Sequence, residues 1–335
     1  MQAHKHWTTV VKEIFPHAEI LDSALVYPIR SDGWDIDVPL IALECDFADP
    51  EYHLFVNLQD MLDGRELLRL HDCFSINGFA EYRHRITVIV WNKNIKQILP
   101  QDTFNIIEFS SHQYETWCSY KTNEDVLRDA FSSDKKTFEF NFVCPQRIYK
   151  LHRAAIYSTL SKYSHGNISL QSKSHELHYP SLSFQEYEDQ YDNLVNLLGM
   201  RRNYNTALFS IVSESQYQEP YGIITEKTFN TIVAGVPFLM VAHQNALRDI
   251  NDYGFMTYPN LFNEDYDTKD NQSRIKTMIE DNDSYIKEPL TDIEMQSIYV
   301  DAQSIAEYNR NYFFDQFGDQ LISELRIDLL NIWGR

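Results

Sequence analysis

The sequence predicts an α/β protein with parallel sheets. Residues 207–212 and 238–241 are short, almost wholly apolar runs of strand length, which is typical of strands covered on both faces. The stretch between them has the signals of an amphipathic helix. Strand-like and helix-like segments alternate through most of the chain, and this alternation favours parallel over antiparallel sheets.

The helix between these two runs has clear start and stop signals. Thr225 offers its hydroxyl as an N-cap, and Phe229, Ile232 and Val233 then fall on one helical face. Gly235 is expected to end the helix, since glycine readily adopts the left-handed conformation found there. The segment is therefore predicted to be a strand–helix–strand unit.

Glu226 and Lys227 fall in the first turn of this helix, beside the carboxyl ends of strands, where open α/β sheets bind their ligands. Glu226 suits the positive end of a helix, but Lys227 opposes the helix dipole unless an anion such as a diphosphate lies nearby. A Thr-Glu-Lys start is also ordinary helix capping. The pattern alone leaves both interpretations open.

Glycine usage restricts how a phosphate could be bound. The chain has 10 glycines, and none of them forms a glycine-rich phosphate loop. The sequence matches neither the P-loop motif nor the glycine-rich fingerprint of dinucleotide-binding proteins. If phosphates bind, cationic side chains and helix N-termini must hold them.

The region also resembles a known family. Phe209–Ser215, Ile224–Asn230 and Ala234–Pro237 are similar to the donor-binding motif of the α1,3-fucosyltransferases, and similar stretches occur in bacteriophage-encoded glycosyltransferase-like proteins. The resemblance lies within 207–241 of a 335-residue chain. It implies the GT-B architecture, in which two Rossmann-like domains face each other and a C-terminal helix packs back on the first.

The resemblance implies roles for individual residues. Glu226 would hold the ribose of a nucleotide and Lys227 its diphosphate, with GDP as the implied nucleotide. Glu214 would be the first glutamate of the motif. The remaining donor-site candidates in this motif are Ser213, Tyr221 and Thr225. The spacer here has an extra Pro-Tyr-Gly at 220–222, and Thr-Phe-Asn at 228–230 replaces the family's aromatic pair, so the motif predicts a donor site better than it predicts a sugar.

Two arginines are further candidates for the diphosphate. An alternating strand around residues 138–142 precedes a helix that is expected to bury Ile148, Leu151 and Ala155. Arg147 and Arg153 lie near its start, and the family uses an arginine from this region. A guanidinium group suits a diphosphate because it binds two oxygens at once. The alternative for each is an exposed surface arginine.

The length favours two domains. The N-terminal half, with strand-like runs at 54–58, 86–91 and 104–109 and a helical stretch at 61–70, is predicted to form an acceptor-side domain over residues 1–135. Residues 136–310 are predicted to bind the nucleotide sugar. Thr291 and Glu294 form a capping box, after which helices continue. Residues 311–335, with an apolar stripe, are predicted to be the returning helix.

Composition constrains the partners. The formal net charge is −20, which disfavours DNA or RNA unless a basic surface is segregated. No apolar run is long enough to cross a bilayer, so a cytoplasmic protein with no membrane span is expected. The four cysteines are scattered, which favours free thiols over disulfides or a zinc site. No metal or other cofactor is predicted: Asp35 and Asp37 are interpreted as a turn, and the spacing of His175 and His178 does not fit a zinc-protease helix.

The resemblance to the fucosyltransferases, taken with these observations, implies a glycosyltransferase that transfers a sugar from a nucleotide-diphosphate donor to a saccharide hydroxyl. Such a transfer needs a base for the acceptor hydroxyl. Asp60 and Glu81 are the candidates, although each is also explained as a cap or a surface carboxylate. Two alternatives remain: a phage-type DNA glycosyltransferase that modifies a hydroxylated base, and a non-catalytic nucleotide-binding protein of the same fold.

Overall fold

The computed structural model describes residues 7–22, 29–30, 33–34, 48–58, 79–90, 104–132, 136–146, 149–170, 193–217 and 222–334. The chain divides into two compact units, one comprising residues 1–115 and 318–335 and the other residues 116–317. The domain limits expected from sequence, after residues 135 and 310, differ from these. Residues just after 115 pack inside the second unit, where the Trp117 indole N–H donates to the carbonyl of Phe313 at 2.7 Å.

The elements up to residue 130 are α1 (Trp7–Ile14), β1 (Ala18–Asp22), β2 (Ile29–Arg30), β3 (Gly33–Trp34), β4 (His53–Leu58), a 3-10 helix (Phe79–Arg85), β5 (Ile86–Val90), β6 (Asn105–Glu108), α2 (Ser111–Thr122) and α3 (Glu124–Ala130). The following elements are β7 (Phe140–Cys144), α4 (Leu151–Leu160), β8 (Gly166–Ile168), α5 (Asn193–Gly199), α6 (Arg201–Thr206), β9 (Ala207–Ser213), α7 (Glu226–Val233), β10 (Phe238–Val241), α8 (Ala246–Asp252), a 3-10 helix (Asp265–Thr268), α9 (Arg274–Asp281), α10 (Asp283–Ile286), α11 (Asp292–Tyr312), a π-helical turn (Phe313–Phe317) and α12 (Gly318–Trp333).

The first unit is built on a parallel sheet with the strand order β1-β4-β5-β6. The three strands predicted for this half are confirmed as β4, β5 and β6, and β5 is buried along its whole length. Helix α12 packs on α1 and β6 through the buried residues Leu321, Leu325 and Leu329. The helix predicted at 61–70 lies outside the described residues.

The second unit is built on another parallel sheet, with the order β10-β9-β7-β8. Strand β9 is buried throughout, as is β10, because helices cover both faces of the sheet. The strand–helix–strand prediction is confirmed: Thr225 is the N-cap of α7, and Gly235 has a φ of +61° just after its end. The structure is therefore a mixed α/β protein with two parallel sheets.

The predicted apolar face of the helix after β7 is wrong at Leu151 and Ala155, and its third residue, Ile148, lies outside the described residues. Leu151 is 73% exposed and Ala155 is exposed, whereas Arg153, Ile156 and Leu160 are buried. The helix begins at Leu151, later than expected, and it is rotated so that a charged residue faces inward. The buried position of Arg153 is explained below by its bond to the end of β9.

The capping box at the start of α11 is confirmed. The Thr291 hydroxyl accepts from the backbone N–H of Glu294, whose carboxylate accepts from the backbone N–H of Thr291. The two cysteines in the described part of the chain, Cys118 and Cys144, do not form a disulfide. Among the described helices, none is both long and apolar enough to cross a membrane.

Lys136 is expected to make the stability of the second unit depend on pH. Its ammonium group donates to the carbonyls of Ala234 and Gly235, each at 3.0 Å, beyond the end of α7. Burial, with a smaller contribution from Arg310, lowers the pKa of Lys136 from 10.5 to about 7. The folded state therefore holds fewer protons than the unfolded state between pH 7 and 10, so its stability should rise with pH in that window.

Urea denaturation at pH 7 and pH 9 measures the free energy of unfolding of the wild type and of Lys136→Met. The wild type should gain about 1–2 kcal/mol more than the variant over this interval. Titrations common to both proteins cancel in the difference. Parallel pH profiles would contradict the prediction.

Candidate functional site

The candidate site lies at the carboxyl edge of the second unit's sheet, where the strand order reverses. The chain leaves β7 through α4 toward β8 on one side, and it leaves β9 through α7 toward β10 on the other. Right-handed crossovers place these two helices on opposite faces of the sheet. Their N-termini flank the ends of β7 and β9, which is the position at which open α/β sheets bind ligands.

Glu214 anchors this edge. Its carboxylate is fully buried, directly after β9, and its backbone N–H donates to the carbonyl of Val241 at 2.9 Å. One carboxylate oxygen accepts from the backbone N–H of Thr225 at 3.1 Å and from the hydroxyl of Thr228 at 2.6 Å. The other accepts from the hydroxyl of Thr225 at 2.5 Å. Glu214 thus fixes the start of α7 to the end of β9.

Glu226 and Lys227 occupy the first turn of α7, as predicted. The Lys227 ammonium group lies 2.6 Å from a carboxylate oxygen of Glu226 and 3.1 Å from the Thr225 hydroxyl oxygen. The side chain of Lys227 is 28% exposed and that of Glu226 is 23% exposed, so both reach the surface. The pair presents an ammonium and a carboxylate group side by side at a helix N-terminus.

Three basic side chains at the start of α4 bind consecutive carbonyls, of the last residue of β9 and the two residues after it. Arg153 donates to the carbonyl of Ser213 at 3.2 Å, the Nε2–H of His152 donates to that of Glu214 at 3.0 Å, and Lys150 donates to that of Ser215 at 2.6 Å. These bonds hold the turn after β9 against α4. The bonds of Lys150 and Arg153 also concentrate positive charge at one edge of the sheet.

The pKa values reflect this concentration of charge. The pKa of Lys150 is lowered by burial and by the positive charges of Arg153 and Lys227, while Glu214 acts in the opposite direction. Burial is the main cause that lowers the pKa of His152 to about 4, so its imidazole is neutral at pH 7. A bound anion would relieve the repulsion among the three cations Lys150, Arg153 and Lys227.

Three buried polar atoms at the same edge have no hydrogen-bond partner in the part of the chain that the structure describes. They are Oγ of Ser213 and the amide oxygens of Gln146 and Gln216. All three side chains are at least nine-tenths buried. Buried polar groups are normally bonded, so such atoms require an explanation, and a ligand that supplies donors is one.

A buried arginine holds the neighbouring loops together. Arg274, at the start of α9, donates to the carbonyls of Ala242, Tyr217 and Lys269. Its guanidinium group also lies 5.0 Å from the centre of the Tyr217 ring. The loops after β9 and β10 are thereby fixed to one side chain.

The structure brings together Ser213, Glu214, Thr225, Glu226, Lys227 and Arg153 from the predicted set. Arg147, Tyr221 and Asp60 lie outside the described residues. Lys150, His152 and the two glutamines were missed, because their place at the site depends on how α4 docks on β9. The position of Lys150 immediately before a helix could have signalled it, since an N-terminal lysine is unfavourable without an anion.

Glu81, the second candidate base, is not part of the polar and charged cluster at the start of α7 in the part of the chain that the structure describes. It is an exposed residue of the 3-10 helix that precedes β5. It therefore lies toward the amino end of that strand, whereas ligands of parallel sheets bind at the carboxyl ends.

Comparison with known proteins gives limited similarity. No family model and no curated protein matches the sequence. Among solved structures, a crystal structure of an α1,3-fucosyltransferase is similar to this chain, with 11% sequence identity, a TM-score of 0.43, and coverage of 95% of this chain and 80% of that one.

Proposed function

We propose that the protein is a glycosyltransferase that uses a nucleotide-diphosphate sugar. The observation that carries this proposal is the set of three cations, Lys150, Arg153 and Lys227, around the N-terminus of α7 at the point of strand-order reversal. A diphosphate is the anion that suits such a site. The sequence contains no glycine-rich phosphate loop, so the side-chain cations and the helix N-terminus would bind the phosphates instead.

The donor is proposed to be a GDP-sugar. The motif around Thr225 resembles the donor-binding motif of the α1,3-fucosyltransferases, in which the glutamate binds the ribose and the lysine the diphosphate. Glu226 and Lys227 would take these roles, and the 2.6 Å contact between them would open as the nucleotide binds. Glu214 would act indirectly, by holding α7 in place.

The reaction is proposed to need no metal ion. When the glycosidic bond to the phosphate breaks, negative charge develops on the leaving diphosphate. Lys150, Lys227 and the amide groups at the start of α7 would stabilise that charge as the bond breaks. Arg153 donates to the carbonyl of Ser213 at 3.2 Å, so it would stabilise the diphosphate through its electrostatic field rather than by direct contact.

The acceptor is proposed to be a saccharide hydroxyl, and its proton must be taken by a base. Asp60 remains the proposed base; it lies outside the described residues, and the proposal rests on its place in sequence two residues after Leu58, the last residue of β4. The exposed position of Glu81 before β5 makes it the weaker candidate. Sugar transfer assays of Asp60→Asn and Glu81→Gln separate the two, because only loss of the base should abolish transfer while leaving nucleotide affinity intact.

Lys227→Ala tests the donor site. A thermal-shift panel of GDP, UDP, ADP, CMP and their sugars is recorded on the wild type and the variant. A nucleotide at about 100 times its Kd should stabilise the wild type by about 2.7 kcal/mol. The variant should lose most of this stabilisation, because the ammonium group that faces the diphosphate is gone.

Lys12→Ala is the matched control, since Lys12 is an exposed lysine of α1 in the other unit. It should respond to the same nucleotide as the wild type does. If no nucleotide stabilises the wild type, Glu226 and Lys227 are only a helix start and the proposal fails. Hydrolysis of the donor in the absence of acceptor distinguishes an enzyme from a non-catalytic nucleotide-binding protein, and binding to duplex DNA with a steep salt dependence would indicate a DNA acceptor.

A further inference from the structure

A groove in the second unit lies between α4 and α9 and is separate from the cations of the donor site. Its volume is about 600 Å³, which is the size of a small-molecule site. Leu151 and Ala155 form one apolar wall, and Ile275 and Ile279 form the other. The exposure of Leu151 and Ala155, which contradicts the face expected for α4, is therefore explained by this groove.

The near end of the groove adjoins the candidate donor site and is aromatic. The rings of His152 and Tyr217 stack with centres 5.2 Å apart and an angle of 16° between their planes. The Tyr217 hydroxyl donates to the carbonyl of Asn271 at 2.7 Å, and His152 is fixed to the carbonyl of Glu214. Because His152 is neutral at pH 7, this end offers a rigid, uncharged aromatic surface.

The far end of the groove is basic. Lys162 follows the end of α4. Lys287 lies near the start of β7, where the Asn141 amide donates to the carbonyls of Tyr285 and Glu288 at 2.9 and 2.7 Å. Helix α4 has 10 residues, so this end is about 15 Å from Leu151. The groove is thus apolar along its walls, aromatic at one end and basic at the other.

The charge of this groove is opposite to that of the protein. Three lysines line it, with Lys276 beside the single lining carboxylate, Glu280, whereas the chain has 49 acidic and 29 basic residues. The ion pairs of two of these lysines are long: 3.8 Å from Lys276 to Glu280, where both side chains are exposed, and 3.7 Å from the half-buried Lys287 to the exposed Asp283. Such pairs contribute little, so the ammonium groups remain available to an anion.

We propose that this groove binds an acidic saccharide, which would be the acceptor of the reaction. The inference rests on the proposed function for the identity of the ligand as a saccharide. Sugar rings present apolar faces that pack on aromatic and aliphatic side chains, and a carboxylate or sulfate on the saccharide would reach Lys162 and Lys287. The diphosphate of the donor is proposed to bind Lys150 and Lys227, and the nucleobase attached to it is neutral and offers Lys162 and Lys287 no anion. A nucleobase is therefore the poorer occupant of this groove.

The probes are matched pairs of disaccharides that differ by one carboxylate or sulfate, such as cellobiouronic acid and cellobiose. Their Kd values are measured by calorimetry with GDP present. The wild type should bind the acidic member at least about tenfold more tightly. Lys162→Gln combined with Lys287→Gln should remove that preference while leaving the affinity for GDP unchanged.

Lys12→Gln combined with Arg202→Gln is the matched control, because both residues are exposed cations outside the groove. It should retain the preference, which separates a local effect from the loss of two charges. Ala155→Glu gives a second variant that places bulk and negative charge on the groove wall. It should weaken both members of each pair, and more strongly the acidic one.

The outcomes separate this inference from the donor proposal. Equal affinity for both members of every pair in the wild type would overturn the inference, as would equal losses in the groove variant and its control. A fall in GDP affinity in the groove variant would show that the nucleotide occupies the groove, which also overturns it. Lysine-dependent binding of acidic saccharides without any response to nucleotides would refute the donor proposal but retain the groove as a saccharide site.

Discussion

Replacement of Glu214 by alanine is expected to lower the free energy of unfolding of the second unit by about 3–5 kcal/mol. The fully buried carboxylate accepts from the backbone N–H of Thr225 and from the hydroxyls of Thr225 and Thr228. Alanine would leave these three donors without an acceptor inside a closed site, and it would leave a cavity as well. Glu214→Gln keeps the volume but replaces one acceptor by a donor, so an intermediate loss is expected.

Urea denaturation measures the loss, and hydrogen exchange of the β9 amides assigns it to the second unit. Glu139→Ala is the control, because the Glu139 side chain is 46% exposed and its pair with Arg202 is 3.6 Å long. That change should stay within about 0.5 kcal/mol. A Glu214→Ala protein with the stability of the wild type would show that the start of α7 does not depend on this carboxylate. Because α7 carries Lys227, we also expect weaker nucleotide binding.

The β9–α7–β10 unit could be predicted from sequence because its signals are local. A run of apolar residues, a threonine cap and a glycine with positive φ each act within a few residues of the chain. The same holds for the capping box of α11. In these segments, local propensity and the burial of apolar side chains favour the same structure.

The face of α4 could not be predicted, because it is determined by distant parts of the chain. Arg153 is buried since its guanidinium group binds the carbonyl of Ser213, which is 60 residues away in sequence. Leu151 remains exposed beside a groove whose other wall is formed by α9. Hydrophobic periodicity assumes that apolar residues face inward, and that assumption fails where a charged residue supports a site.

The polar segment at 263–283 contains one of the most buried arginines in the described part of the chain. Arg274 is 1% exposed and donates to the carbonyls of Ala242 and Lys269 at 2.5 and 3.1 Å. A polar sequence does not reveal such a residue, since a surface arginine has the same local context. Its acceptors are backbone carbonyls, which sequence patterns do not identify.

Arg274→Met is therefore expected to destabilise the second unit by about 3–5 kcal/mol. Methionine fills part of the volume but leaves the buried carbonyls of Tyr217 and Ala242 without the donor that Arg274 supplies, and the part-buried bond to the Lys269 carbonyl is lost as well. Arg274→Lys should recover only part of the loss, because one ammonium group cannot donate to all three of these separated carbonyls as the guanidinium group does.

Urea denaturation with hydrogen exchange of β10 measures this effect. Arg326→Met is the control, as Arg326 is half-exposed and its contact with Glu13 is 3.4 Å long. A loss no greater than in this control would contradict the prediction. Arg274 also joins the loops after β9 and β10 and lies against the Tyr217 ring, which lines the α4–α9 groove. Arg274→Lys should therefore weaken saccharide binding in that groove. Nucleotide binding at α7 should be weakened less, because Glu214 anchors α7 independently.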